Sequence, residues 1–281
     1  MIYGDRNFPI LIANARLCQT HLRSNVDLLI LVKSHTDHLA YRSAIRHTWG
    51  NDSCWAGRVI KIVFVLGTSH DSNVSDKIGK EAKQHADIIQ RDFIDHYHNN
   101  THKTLFSLQW ALAFCPEAKW YLLVDDDFFV NSREMLGLLD SLDPRFNSVL
   151  LAGHQYTVAP VIRNRTGPAK WVISEQRYPH SHYPNYVAGG TILVGSELAL
   201  ELYLGSRFTK MFPVDDAFLG FVLHKLLRQT THLNTVNVFP HPYILWRNIS
   251  GILSSHGFHR PSHQRIVWRR MKLHRLCLPL K

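Results

Sequence analysis

The chain has 281 residues, enough for one large α/β domain or two small ones. Hydrophobic residues at 45% and charged residues at 19% exclude a disordered segment, and no apolar run approaches the ~20 residues of a membrane-spanning helix. The 32 Lys+Arg against 22 Asp+Glu give a net charge of +10 and a pI near 9.6, which suits anionic partners; with no nucleic-acid-binding motif, a nucleotide substrate stays open.

Residues 1–24 read as an irregular stem or lead-in. The continuous apolar run at 28–32 predicts a buried, parallel-type strand. A helical pattern follows over 38–49 and stops at Gly50. Residues 59–66 predict a second strand closed by Gly67, 75–85 a helix and 87–90 a short strand. The clearest helix is 101–114, where Leu105, Leu108 and Leu112 share one face. It leads into a strand at 121–124. This alternation predicts an α/β fold with a mostly parallel sheet and helices on both faces. In the second half, 148–152 and 170–174 read as strands, 197–204 and 217–227 as helices, and 236–239 as a last strand. No Gly/Ser linker or internal repeat divides the chain, so 25–281 reads as one domain. A GxGxxG after the first strand and a GxxxxGK[ST] are both absent, which counts against a dinucleotide fold and a P-loop enzyme.

The most informative stretch is 121–130. Asp125, Asp126 and Asp127 stand between the apolar Leu122–Leu123–Val124 and Phe128–Phe129–Val130. Three adjacent carboxylates at the end of a buried strand repel one another unless a cation compensates. Hard oxygen ligands suit Mn²⁺ or Mg²⁺, and ligands bind at strand ends in α/β sheets. A solvated acidic turn would not sit between two apolar clusters, so a metal site is the expectation.

The four cysteines, Cys18, Cys54, Cys115 and Cys277, have no zinc-finger or CxxC spacing; they allow two disulfides in three full connectivities, or none. Five N-x-Ser/Thr sequons begin at Asn51, Asn73, Asn99, Asn164 and Asn248 and point to a lumenal or secreted chain. The first residues lack the apolar core of a signal peptide. The expectation is therefore an N-terminal membrane anchor lying outside this chain.

Five ordered segments resemble glycosyltransferase family 31, the β-1,3-galactosyl- and N-acetylglucosaminyltransferases. They are Arg42-Ser-Ala-Ile-Arg46-His-Thr-Trp49-Gly50, the stretch from Asp92 through Asp95, Tyr97, Asn99 and Thr101 to Lys103, the Asp125–Asp127 run, Tyr183-Pro-Asn-Tyr186-Val-Ala-Gly189-Gly190, and Phe212-Pro-Val-Asp215-Asp216-Ala-Phe-Leu-Gly220. Two departures stand out: Leu123 where the family often has Lys, and Val187 where it has Cys. Lys170-Trp171-Val-Ile-Ser174, Phe128-Phe129 and Ser255-His256-Gly257-Phe258 are most similar to brainiac-like β-1,3-N-acetylglucosaminyltransferases.

The resemblance implies a GT-A fold, with a nucleotide-binding half at 25–130 and an acceptor-binding half at 131–281. It implies inverting transfer of N-acetylglucosamine from UDP-GlcNAc to a glycan hydroxyl on a glycolipid or glycoprotein, in the Golgi lumen, by a type II membrane protein. Transfer of galactose and an inactive glycan-binding module are the alternatives; phosphoryl transfer ranks last, for want of a phosphate-cradling loop. Asp127 and His256 would ligate Mn²⁺, with His259 and His263 close in sequence. Asp125 and Asp126 would hold the ribose or metal-bound waters. Arg42, Arg46 and Lys103 would organise the nucleotide side, and Gly189 and Gly190 would admit the donor sugar. Asp216 would be the base; as the acid opening a helix it could equally be a cap, and Asp215 is the alternative base. Trp171 and Tyr186 are sugar platforms or core aromatics. The basic run 265–275 reads as a solvated helix face, with membrane-surface contact the lesser reading.

Overall fold

The computed structural model describes residues 8–19, 26–163, 168–238 and 251–277. Its main sheet contains β1 (Ile10–Ile12), β2 (Leu28–Lys33), β3 (Ile60–Thr68), β4 (Ile88–Ile94), β5 (Trp120–Asp125), β7 (Leu151–Tyr156), β8 (Tyr186–Gly195) and β9 (Thr231–His232). A small second sheet contains β6 (Phe129–Val130), β10 (Val236–Asn237) and β11 (Ser254–Ser255). In space the main sheet runs β1-β4-β3-β2-β5-β8-β7-β9. Strands β4, β3, β2 and β5 are parallel; β8 runs antiparallel to both β5 and β7.

The helices are α1 (Leu39–Arg46), α2 (Ser72–His85), α3 (Asn100–Phe114), α4 (Ser132–Ser141), α5 (Pro144–Asn147), α6 (Ser196–Ser206), α7 (Asp215–Lys225) and α8 (Pro261–Arg270). They bury both faces of the sheet, as the alternation of strand and helix predicted. Strand β2 shows how. Leu29 and Leu31 pack in one core with residues of α3, α6 and α7, whereas Leu28, Ile30 and Val32 pack in another with residues of α1, α4 and α8. Side chains alternate along a strand, so an uninterrupted apolar run feeds two cores. By the same parity Lys33 shares the side of Leu29 and Leu31, toward α3 and α7.

Four expectations change. Residues 8–19 are no separate stem: β1 pairs antiparallel with β4, and Cys18 is disulfide-bonded to Cys115 at the end of α3. The Ile-Leu-Ile of β1 completes the edge of the sheet. Residues 1–7 and 20–24 of that expected stem lie outside the described residues. Where a strand was expected at 170–174, Ala169–Trp171 form a 3₁₀ turn, the Trp171 and Val172 N–H groups donating to the Pro168 and Ala169 carbonyls rather than to a neighbouring strand. The strand expected at 148–152 begins only at Leu151; that expected at 236–239 is Val236–Asn237, with residue 239 outside the described residues. The sequence reading missed β8, which lies between β5 and β7 in the sheet, and the helix α4. Asn164 and Asn248 also lie outside the described residues.

Candidate active site

The carboxyl ends of β2 and β5, the first half of β8 and the N-terminus of α7 meet at one place. Lys33 closes β2 in register with Asp125, which closes β5. Its ammonium group is 3.0 Å from Asp125 Oδ1, and it donates to the Gly189 carbonyl and to Asp215 Oδ2, both at 3.0 Å. One buried cation thus ties the first carboxylate of the Asp run, the middle of β8 and the start of α7 together. The sequence reading did not single out Lys33. Its only signal was a lysine ending an otherwise apolar strand beside a strand that ends in aspartate.

The acidic pair divides into two environments. Asp215 is buried and also accepts from Thr104 Oγ1 at 2.8 Å. Burial works to raise its pKa, but Lys33 and Thr104 outweigh burial and hold the carboxyl below the usual range. Asp216 is half-buried. It accepts from the Gly189 N–H at 3.1 Å and from the Ala217 N–H at 2.7 Å. Burial, then the neighbouring Asp215 charge, push its pKa up to about 7. Val214, not Asp216, holds the cap position of α7. Around Asp216 stand Tyr97, Tyr156, Tyr183 and Tyr186, whose pKa values are all raised by burial and then by the aspartate charges. The phenols therefore stay protonated and can donate. Trp171 is 39% exposed and donates from Nε1 to the Tyr97 hydroxyl at 2.6 Å.

The Asp run splits three ways. Asp125 faces Lys33. Asp126 is buried and turned into the loop after β2, accepting from Ser34 Oγ at 2.6 Å and lying 2.8 Å from His38 Nδ1. Asp127 points toward the C-terminal segment. Strand β11 pairs with β6, Ser255 opposite Phe129, and the Phe258 N–H donates to the Asp127 carbonyl. That pairing carries His256 across 129 residues to place Nε2 3.0 Å from Asp127 Oδ2. His259 Nδ1 lies 3.7 Å from the same oxygen. One ligand atom from each of Asp127, His256 and His259 falls within 4.8 Å of the others. A carboxylate and two imidazoles suit Mn²⁺, and His256 Nδ1 is buried without a hydrogen-bond partner, so the donor set fits a divalent metal. Burial opposes ionisation of Asp127, but the His256 hydrogen bond and the two imidazoles keep its pKa low.

Several residues expected at the nucleotide side also pair with internal acceptors. Arg42 is buried, pairs with Glu81 at 2.7 Å and donates to the His35 carbonyl and to Ser34 Oγ. Arg46 pairs with Glu81 and Asp87. Lys103 is buried between Asp95 and the Ser34 carbonyl, both at 2.6 Å. These cations are consumed by internal acceptors. They shape the loop after β2, and through Ser34 they hold Asp126. Gly190 is a packing position: a Cβ there would overlap the Phe128 ring. A Cβ at Gly189 would stand 3.4 Å from the Asp215 and Asp216 side chains, so Gly189 borders the site itself.

The galactosyltransferase family matches residues 40–234, a span that runs from α1 to β9 and includes the Asp run and α7. β-1,3-Galactosyltransferase brn of Drosophila melanogaster is 32% identical over 245 residues, covering 86% of this chain and 73% of the fly protein. Mouse β-1,3-galactosyltransferase 5 is 33% identical, with 75% and 68% covered. Lactosylceramide 1,3-N-acetyl-β-D-glucosaminyltransferase A of Xenopus laevis is 34% identical, with 79% of this chain but only 60% of the frog protein covered. With these relatives and a family match over more than half its length, the chain belongs to the galactosyltransferase family.

Proposed function

We propose that the protein is an inverting β-1,3-glycosyltransferase that moves N-acetylglucosamine from UDP-GlcNAc to a hydroxyl of an acceptor glycan on a glycolipid or glycoprotein. The observation that carries this reading is the pair of environments at the head of α7: an ionised, lysine-bound Asp215 beside an Asp216 whose pKa lies near 7. A general base works best when its pKa is close to the working pH. Asp216 takes the proton of the acceptor hydroxyl as that hydroxyl's oxygen bonds to the anomeric carbon and the bond from that carbon to the UDP oxygen breaks. A single in-line displacement inverts that carbon. The neutral phenols of Tyr97, Tyr156, Tyr183 and Tyr186 donate to sugar hydroxyls, and Trp171 offers a face for ring stacking.

Asp127, His256 and His259 would hold Mn²⁺, which supplies positive charge to the departing diphosphate. Asp125 orients the nucleotide side from its place beside Lys33, and Gly189 leaves room for the donor sugar. Arg42, Arg46, Lys103 and Asp126 act behind them, fixing the loop after β2. Galactose from UDP-galactose is the second reading, favoured by the names of the fly and mouse relatives. Residence in the Golgi lumen behind an N-terminal anchor accords with the sequons and with Cys18–Cys115 and Cys54–Cys277, since disulfides persist in oxidising compartments. The test is transfer from a panel of UDP-sugars with Mn²⁺ present. Turnover of UDP-GlcNAc above the others supports the reading; preference for UDP-galactose moves it to the second, and no turnover of any donor removes it.

A further inference from the structure

The face of α6 turned away from the sheet is apolar where solvent should make it polar. Leu200, Leu204 and Phe208 are 47%, 49% and 56% exposed. Their spacing of four places them on one line along the helix and its C-terminal turn. The inner face of the same helix is satisfied by Leu198, Ala199 and Leu202 in the core. The outward leucines and phenylalanine leave about half of their surface in solvent.

Cations surround this ridge. Arg207 and Lys210 are exposed and make no ion pair among the described residues. Lys225 reaches over from the end of α7 to donate to the Phe208 carbonyl at 2.9 Å. Glu201, on the ridge, is neutralised by Arg228; Glu197 stands in the first turn of α6, at the end remote from Phe208. Just beyond Phe208 a cavity of about 450 Å³ opens, floored by Phe212 and Phe221 and bordered by Lys210, Lys225 and Arg177.

We propose that this face docks on a bilayer surface bearing anionic lipid headgroups, with Leu200, Leu204 and Phe208 entering the headgroup–acyl boundary and Arg207, Lys210 and Lys225 meeting the headgroups. A helix that lies in an interface has this pattern of apolar ridge and flanking long cations. A second copy of the chain fits less well, because a two-fold contact would set the same cations against each other. The ridge lies by the far end of α7, about 15 Å along that helix from Asp216, so docking leaves the reaction centre open.

Flotation with vesicles tests this. The protein should float with phosphatidylcholine vesicles containing phosphatidylserine and not with phosphatidylcholine alone, and added salt should weaken binding. Leu204→Glu with Phe208→Glu should lower the bound fraction at least about tenfold. Arg207→Glu with Lys210→Glu should do the same, and both doubles should keep the wild-type circular dichroism and turnover on a soluble acceptor. The proposal is overturned if the protein ignores anionic vesicles, or if both doubles float like wild type. A concentration-dependent dimer that the Leu204/Phe208 double abolishes, or binding to soluble polyglutamate without vesicle binding, also overturns it.

Discussion

Asp216→Asn separates the roles of Asp216 because its two consequences point in opposite directions. In the folded protein the carboxyl titrates near 7, against an ordinary value of 3.8. Between those values the native state keeps a proton that the unfolded chain has lost, so the group's contribution to stability falls as pH rises across that window. Above the folded pKa the full penalty is present, up to about 4 kcal/mol, less what the half-exposed position recovers from solvent. Asparagine carries no charge. It can still accept from one of the Gly189 and Ala217 N–H groups, and the lost second bond costs about 1 kcal/mol. The net gain is about 1–3 kcal/mol near pH 8 and falls to about zero near pH 5, where the remaining penalty of about 1 kcal/mol is matched by the lost hydrogen bond. At about 2–4 °C per kcal/mol, Asp216→Asn should melt several degrees above wild type near pH 8 and no higher near pH 5. Turnover should fall about 10²–10⁴-fold, with UDP binding little changed. Calorimetry at both pH values and a transfer assay on one preparation measure this. A melting difference that does not depend on pH, or an active variant, would refute the assignment of a strained, proton-accepting Asp216 and transfer the search to Asp215.

Three further outcomes follow from the same geometry. Asp127→Asn and His256→Ala should each lose Mn²⁺ binding by isothermal titration and lose transfer, and chelation of the wild type should abolish activity reversibly; full activity in EDTA would remove the metal. Lys33→Met strands Asp215 without its cation and should cost about 3–5 kcal/mol, more at high pH than at low because Asp215 then gains from protonation; an unchanged melting curve would show that Lys33 ties nothing together. Expression through a secretory pathway should give a product that N-glycosidase shortens, with exposed Asn73 at the start of α2 as an accessible acceptor; no gel shift would remove the sequon argument for a lumenal chain.

Much of the site was legible because its chemistry is local in sequence. Three consecutive aspartates after an apolar strand mark a strand-end site without knowledge of the fold, and two acids before a helical pattern mark the head of α7. What stayed hidden depends on distant pairing. Lys33 meets Asp215 across 182 residues, and nothing in the run 28–33 shows which carboxylates it will face. An arginine on a helix carries no mark of being buried, so the pairing of Arg42 and Arg46 with Glu81 and Asp87, far along the chain, was not visible. Strand β8 escaped because Gly189 and Gly190 break its β-branched pattern and resemble a turn. The structure shows the Gly190 position filled by the Phe128 ring instead. His256 stood out among 19 histidines only through its motif; the β6–β11 pairing that delivers it, and His259 with it, comes from two-residue strands too short to register in the sequence.

The central claim is that Asp216 drives a single inverting displacement from a UDP-sugar. Its most direct test is the configuration and position of the bond formed when the purified protein, Mn²⁺, UDP-GlcNAc and each of a panel of glycan acceptors are combined and the product is read by NMR. The account predicts a β-linked sugar on the 3-hydroxyl of the acceptor. An α-linked product, or none with any UDP-sugar, would contradict it.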